Sequence, residues 1–354
     1  MTFGPDHYVP VLKAKRGEKK ALQEIAAPLR PRITPLIEIV ERKSDRAIDE
    51  HIEKTFKGLA EAAHPYTRCL LDVREIAPDG PEAAAKAFKQ ADDDGIRFTP
   101  VTGISRTADV AAALAYRDKG LAIRLTRKEF EAGRIPRELP RFLAQHDVPP
   151  EQVDLIVDLG PVDYELIVAG VINLTEQFLA DVPDHVRWKT LTVSACAFPQ
   201  SMGRVPRMSE DFVDRVEWLA WRDGLHARRT KLQRLPTFSD CGIQHSSGVE
   251  GFKPGVMPVS AAIRYTLLES WLLIKGESTW STSATLQFPQ LARQLVYGHL
   301  RPHFAGSGHC EGCRSTAAAA DGHPRLGSLE VWRRIGTTHH VTRTVGDLMT
   351  LPWP

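Results

Sequence analysis

Charged or hydroxyl side chains close a series of short apolar runs in this sequence. Lys13 ends YVPVLK, Glu38 sits in TPLIEI, Asp72 in RCLLDV, Arg124 in LAIRL and Asp158 in DLIVDL, while Ser194 ends WKTLTVS and Asp240 ends PTFSD; Thr102 plays the same part in FTPVTG. A charge inside an apolar run is costly to bury unless it is paired or solvated. Two arrangements satisfy that condition. One is a buried ring of ion pairs in which Lys13 and Arg124 neutralise Glu38, Asp72 and Asp158. The other is a polar pocket whose crowded carboxylates have raised pKa values and act as general acid and base. Carboxylates facing each other across a cavity suit glycoside hydrolysis, and carboxylates with histidine around a divalent metal suit phosphodiester hydrolysis. Both chemistries use the residue types present here.

Other residues add to this set. Arg264, in AAIRYT, can grip a phosphate or carboxylate in a bidentate fork if it points inward, or form a salt bridge to Asp240 or another carboxylate; Tyr265 then faces the opposite side. His309, Cys310, Cys313 and His323 combine one Cys-x-x-Cys pair with flanking histidines in a loop, a set able to hold a structural zinc ion. His339 and His340 are expected at the start of a last helix. Adjacent helical residues diverge by about 100°, so at most one of them faces the working site, as proton shuttle or ligand. Ser194 is followed by Ala195 and Cys196 and lacks a Gly-x-Ser-x-Gly elbow, which argues against a hydrolase triad.

Positioning such residues together is the task of the elements that carry them. The apolar runs begin near residues 8, 34, 68, 98, 121, 154, 188 and 236, and amphipathic stretches lie between most of them: 17–27, 45–62, 82–93, 108–118, 137–145, 163–180 and 209–224. Eight strands alternating with helices predict an α/β fold, a (β/α)8 TIM-like barrel, because near-continuously apolar strands need cover on both faces. An open doubly wound sheet is the competitor, but no glycine-rich phosphate loop follows the first strand. In a barrel the strand C-termini share one mouth, so the polar run-ends converge there. Trp218 and Trp221, three residues apart, are expected to pack on the barrel exterior. Past Asp240 the runs SAAIRYT and SWLLIK read as an inserted β-hairpin within 242–286. C-terminal helices are expected at 288–300 and from about 338 to 349, with 301–327 as loop, all within one barrel domain spanning 1–354.

Composition is that of a globular protein: 42% hydrophobic and 25% charged residues over 354 positions. Forty-six basic residues against 44 acidic ones leave a net charge of +2, which does not favour nucleic acid as a partner. No run approaches a membrane span and the N-terminal stretch lacks an apolar signal region, so a cytoplasmic protein with no membrane association is expected. Five cysteines, an odd number, read as reduced thiols.

The segments YVPVLKAKRGE, RITPLIEI, DLIVDLG, RVEWLAW, FSDCGIQH, AAIRYT and VWRRIGTTHHVT, in this order and spacing, resemble the Beta protein family, named for a bacteriophage protein, over nearly the entire chain. The resemblance implies a phage-related or antiphage-defence context and carries no catalytic assignment. It singles out Lys13, Glu38, Asp72, Asp158, Asp240, Arg264, Tyr265, Trp332, Arg333, His339 and His340 as motif positions. The chain departs from it at GHCEGCRS, where a Trp-Gly-Asp-like loop is expected. Two functions follow as expectations. The first is a hydrolase acting on a phosphate- or sugar-containing small molecule or nucleotide, with Glu38, Asp72, Asp158 and Asp240 as acid, base or divalent-metal ligands. In it Lys13, Arg124, Ser194, Arg264 and Tyr265 bind substrate, and His339 or His340 transfers a proton. The second is a non-catalytic barrel that docks a protein partner of a defence system, or nucleic acid. Solvent access to the strand-end charges separates the two.

Overall fold

The computed structural model describes residues 2–162, 167–247 and 259–353. All eight expected barrel strands are present: β1 (Val11–Lys13), β2 (Leu36–Glu38), β3 (Cys69–Asp72), β4 (Phe98–Thr102), β5 (Leu121–Thr126), β6 (Val153–Pro161), β7 (Thr190–Cys196) and β9 (Thr237–Asp240). They form one parallel sheet in the order β1-β2-β3-β4-β5-β6-β7-β9. Just ahead of β1, Tyr8 bridges to Ile33 on one side and to Phe238 of β9 on the other, and the Val9 N–H donates to the Phe238 carbonyl at 3.2 Å; this closes the barrel. The α/β barrel class predicted from the alternating runs is therefore the observed one.

The barrel wall buries both faces. Val9, Val11, Leu36, Leu70, Val101, Ala122, Ile156, Cys196 and Cys241 pack together as an inner core, while Leu12, Ile37, Leu71, Ile123, Val157, Val193 and Phe238 join the larger layer against the helices. Successive residues on a strand point to opposite faces, so each strand contributes to both cores. At the N-terminal end the interior is plugged by a charge pair, with both terminal nitrogens of Arg68 donating to Asp154 at 2.6 and 2.7 Å. Trp218 and Trp221 stack at 5.8 Å between centroids and lie against Phe238 on the outer wall, as expected from their spacing.

Three segments differ from the sequence expectation. The stretch 209–224 was expected as helix, yet Ser209–Asp214 is a strand, β8, whose alternating SEDFVD pairs antiparallel with the hairpin; a helical turn begins only at Val216. With β10 (Ser260–Thr266) and β11 (Ser270–Ser278) it makes a separate three-stranded sheet in the order β10-β11-β8. The 301–327 segment contains a helix, Glu311–Ala320, started by the Cys310 side chain accepting from the Cys313 N–H. The final helix begins at Leu329, capped by Ser328, and runs to Thr350, so His339 and His340 lie in its middle. A hydrophobic run broken by Gly336, Thr337 and Thr338 hid this continuity. The glycine is required: a Cβ at 336 would stand 2.7 Å from the Ile243 side chain and 3.0 Å from the Arg264 carbonyl. The final helix therefore rests directly on the hairpin and on the loop after β9.

A second apolar core forms around this sheet from Ile263, Tyr265, Leu272, Ile274, Phe288, Leu291, Cys313, Trp332 and Ile335. It joins the hairpin, the helix Ala284–Val296, the helix Glu311–Ala320 and the first half of the final helix.

Candidate functional site

Lys13, Glu38 and Asp72 are side by side in the parallel register of β1, β2 and β3, so all three project to the same face. Asp158 of β6 is in register with Thr126 and Ser194. Arg124 joins these groups at the barrel mouth. Its Nη1 donates to Glu38 Oε1 at 2.7 Å and to Asp72 Oδ2 at 2.9 Å, and its Nε donates to Asp158 Oδ2 at 2.8 Å. Two arginines from the loops after β3 and β4 complete the cluster. Arg106 Nη2 donates to Asp72 Oδ1 at 2.7 Å and to Asp109 Oδ2 at 2.6 Å, and Arg74 Nη2 donates to Glu38 Oε1 at 3.3 Å. Glu38, Asp72, Asp109 and Asp158 thus face Lys13, Arg74, Arg106 and Arg124, and formal charge cancels within the cluster.

This is the ion-pair arrangement of the two that the sequence allowed. Crowding was expected to raise the carboxylate pKa values, but Asp72 moves the other way: burial alone would raise it, and the guanidiniums of Arg106, Arg124 and Arg74 hold it well below the ordinary carboxylate range. Glu38, Asp72 and Arg124 are buried, whereas the Lys13 and Arg74 side chains keep 14% and 29% of their exposure and so mark where the cluster meets solvent. Lys13 donates to the Ser246 carbonyl at 2.7 Å and stands 4.0 Å from Glu38 Oε2.

Asp240 is not part of this cluster. It pairs in register with Ala195, while Ser239 pairs with Ser194, so Ser239 is the residue of β9 that shares the interior face. The Ser239 and Ser194 hydroxyls are 3.1 Å apart, both buried. Asp240 points through the outer wall to the final helix. Its Oδ1 accepts from the Tyr8 hydroxyl at 2.5 Å and from the Gly242 N–H at 2.9 Å, and its Oδ2 lies 3.1 Å from His340 Nε2. A carboxylate only accepts, so His340 carries its proton on Nε2 and its Nδ1 accepts from Thr266 Oγ1 at 3.0 Å. Burial, the largest influence, lowers the His340 pKa despite Asp240, and the ring stays neutral. Arg215 supplies the cation, 3.8 Å from Asp240, with its guanidinium over the Trp218 ring. Tyr8, Asp240, His340 and Arg215 are each at most 1% exposed, so this network fastens the final helix to the barrel wall.

Thr102 likewise faces outward, donating to Asp109. His339 points away from His340, into the second core, where it stacks on Tyr265 with centroids 3.9 Å apart. His323 is exposed and lies outside the group of potential metal ligands around Cys310.

The cationic side of the mouth is formed by Arg264, Arg333, Lys13 and Lys15. Arg264 is half-buried, with its guanidinium 5.1 Å from the Phe198 centroid and Nη1 donating to the Ile243 carbonyl at 2.9 Å. No carboxylate lies within 4.0 Å of it among the described residues; nearby Glu18 is 3.7 Å from Arg333 instead. The salt bridge to Asp240 that the sequence allowed is absent. Burial and then repulsion from Arg333 bring the Arg264 pKa down to about 9. Arg333 Nη1 donates to Gln244 Oε1 at 3.0 Å, and Lys15 is near enough to feel both Arg333 and Lys13.

The model of the Beta protein family matches residues 8–346, nearly the whole chain and every element of both clusters. The chain belongs to the Beta protein family. No curated protein matches the sequence. Among solved structures, a thiamine phosphate pyrophosphorylase from Pyrococcus furiosus is similar at 12% identity and a TM-score of 0.27, covering 55% of this chain and 76% of that one. No helix among the described residues of this family member is long and apolar enough to cross a membrane.

The sequence alone did not single out Arg74, Arg106, Asp109 or Ser239, nor the pairing of Arg215 with Asp240. Arg74 stands two residues beyond Asp72 and Arg106 four beyond Thr102, so scanning the first few positions after each strand, where barrel loops carry working residues, would have found both. Ser239 was hidden by parity, because the final polar residue of a strand buried on both faces need not be the inward one.

Proposed function

We propose that this barrel binds a small anionic molecule at the C-terminal mouth, recognising a phosphoryl or carboxylate group through Arg264. The observation that carries this reading is a guanidinium with five N–H donors, half-buried beside a second arginine, that spends one of them on the Ile243 carbonyl and meets no carboxylate among the described residues. Lys13, Lys15 and Arg333 reinforce the positive field, and an anion would relieve the repulsion between Arg264 and Arg333. A nucleotide is the ligand class that fits the phage or antiphage setting implied by the family likeness, and that setting rests on the likeness alone. A panel of inorganic phosphate, pyrophosphate, nucleotides, sugar phosphates and dicarboxylates, measured by calorimetry, is expected to yield at least one binder. Arg264→Gln is expected to weaken it about tenfold, the lower range for a charged hydrogen bond. Failure of every panel member at millimolar concentration, or equal binding by the variant, overturns the reading.

The hydrolytic reading narrows to Glu38 as general base. Its Oε2 makes no hydrogen bond among the described residues and has Lys13 at 4.0 Å, while Asp72 is engaged by arginines at both oxygens. Glu38→Gln is expected to retain ligand affinity and lose turnover of a hydrolysable phosphate ester. Unchanged turnover removes Glu38 from catalysis; no turnover by the unmodified protein leaves a binding barrel whose ligand recruits a partner.

A further inference from the structure

Outside the charge cluster of the barrel mouth, the GHCEGC turn and the final helix bring two thiols and two imidazoles together. His309, Cys310 and His339 each offer a ligand atom, all within 4.8 Å of one another. Cys313, outside that set of three, adjoins it through His339, whose Nδ1 lies 3.3 Å from Cys313 Sγ and 3.7 Å from Cys310 Sγ. Zinc bonds of about 2.3 Å to sulfur and about 2.0 Å to nitrogen, set tetrahedrally, place neighbouring ligand atoms about 3.5 Å apart. We propose that His309, Cys310, Cys313 and His339 bind one structural zinc ion, with His339 in the place that sequence spacing had given to His323.

The surroundings prepare each donor. His339 Nε2 lies 2.8 Å from the Thr266 carbonyl, which can only accept, so the ring proton is on Nε2 and the Nδ1 lone pair faces the sulfurs. The Tyr265 hydroxyl accepts the Ala305 N–H at 2.9 Å, leaving its own proton for Cys313 Sγ at 3.3 Å. Cys310 Sγ accepts the Cys313 N–H at 3.3 Å. Both sulfurs are therefore positioned as acceptors, the role of thiolates. Two thiolates and a divalent ion are together neutral, which suits a site where Cys313 and His339 are buried and only His309 is exposed. Gly312 makes the approach possible, since a Cβ there would stand 2.5 Å from the Ile335 carbonyl. Two sulfurs and two imidazoles in a closed set select zinc over calcium or magnesium.

The ion would lock the helix Glu311–Ala320 to the final helix, fixing the helical register that presents His340, one residue on, to Asp240. Elemental analysis of the full chain purified without chelator is expected to find about one zinc per chain, retained by His323→Ala and lost by Cys310→Ser with Cys313→Ser. Cobalt(II) added to metal-stripped protein is expected to give thiolate charge-transfer bands and tetrahedral d–d bands, weakened in His339→Gln. A chain that is purified metal-free and neither takes up zinc nor develops the cobalt spectrum overturns the proposal, as does zinc loss on replacing His323. The cobalt titration of unmodified protein decides the matter even if the cysteine variants fail to fold.

Discussion

Replacing Arg124 by methionine is expected to cost about 3–5 kcal/mol of folding free energy at pH 7, read from urea denaturation. The guanidinium, 1% exposed, is the shared partner of Glu38, Asp72 and Asp158, and its removal leaves the four carboxylates of the cluster facing three cations. Lysine is expected to rescue little of the loss, since an ammonium cannot reproduce the fork that reaches three acceptors. The pH dependence supplies a sign. Asp72 is depressed in the folded protein by Arg106, Arg124 and Arg74, so its contribution is present above the unfolded carboxylate pKa of about 3.9 and is lost as pH falls through the folded value. Without Arg124 that folded value rises, so the variant's deficit should shrink as the solution is acidified. A deficit below about 1 kcal/mol at pH 7 would mean that water already neutralises the cluster, and would restore the open polar pocket to consideration.

Glu217→Met is expected to do the opposite and stabilise the protein by about 1–3 kcal/mol at pH 8, the range for relieving a buried polar group without a partner. Glu217 is 3% exposed, and neither carboxyl oxygen has a hydrogen-bond partner among the described residues. Burial first, and then the negative charge of Asp240, push its pKa well above the ordinary range. The folded state therefore holds a proton that the unfolded chain releases above about pH 4.3. Stability drains away as pH climbs from that value toward the folded pKa, and a methionine removes the drain. The gain should accordingly be larger at pH 8 than at pH 5. A loss of stability at both pH values would show that the carboxyl has a partner, and would make Glu217 a candidate for function at the small cavity it lines with Thr175, Val193 and Trp221.

These two residues show how differently charge is handled on the two sides of the barrel wall. Inside, the guanidiniums of Arg106, Arg124 and Arg74 outmatch desolvation at Asp72 and hold its carboxyl low. Between the wall and the helices, Arg215 serves Asp240, and the neighbouring Glu217 is left to take up a proton. Asp240 and His340, expected at the mouth, belong to the outer compartment, and with them the expected proton shuttle leaves the mouth. His339 leaves it too, for the sulfur cluster. What remains at the mouth is a charge-balanced ion network beneath an under-satisfied arginine, which is why recognition of an anion is better supported than acid–base chemistry by several carboxylates.

The sequence by itself determined where the eight barrel strands lie and where they end, because a strand buried on both faces must be apolar for its whole length and tolerates a charge only at its solvent-facing terminus. Lys13, Glu38, Asp72, Arg124 and Asp158 were legible for that reason, and so was the barrel they imply. Only the tertiary structure decided which polar side chain faces inward, since apolar residues on both faces erase the alternation that would reveal parity; Ser239 and Asp240 exchange roles on that point alone. It also decided partners that meet across long stretches of chain, such as Tyr8 with Asp240, Arg124 with Glu38 and His339 with Cys313. No local spacing encodes those pairings, because they arise from barrel closure and from helices packing against a distant hairpin.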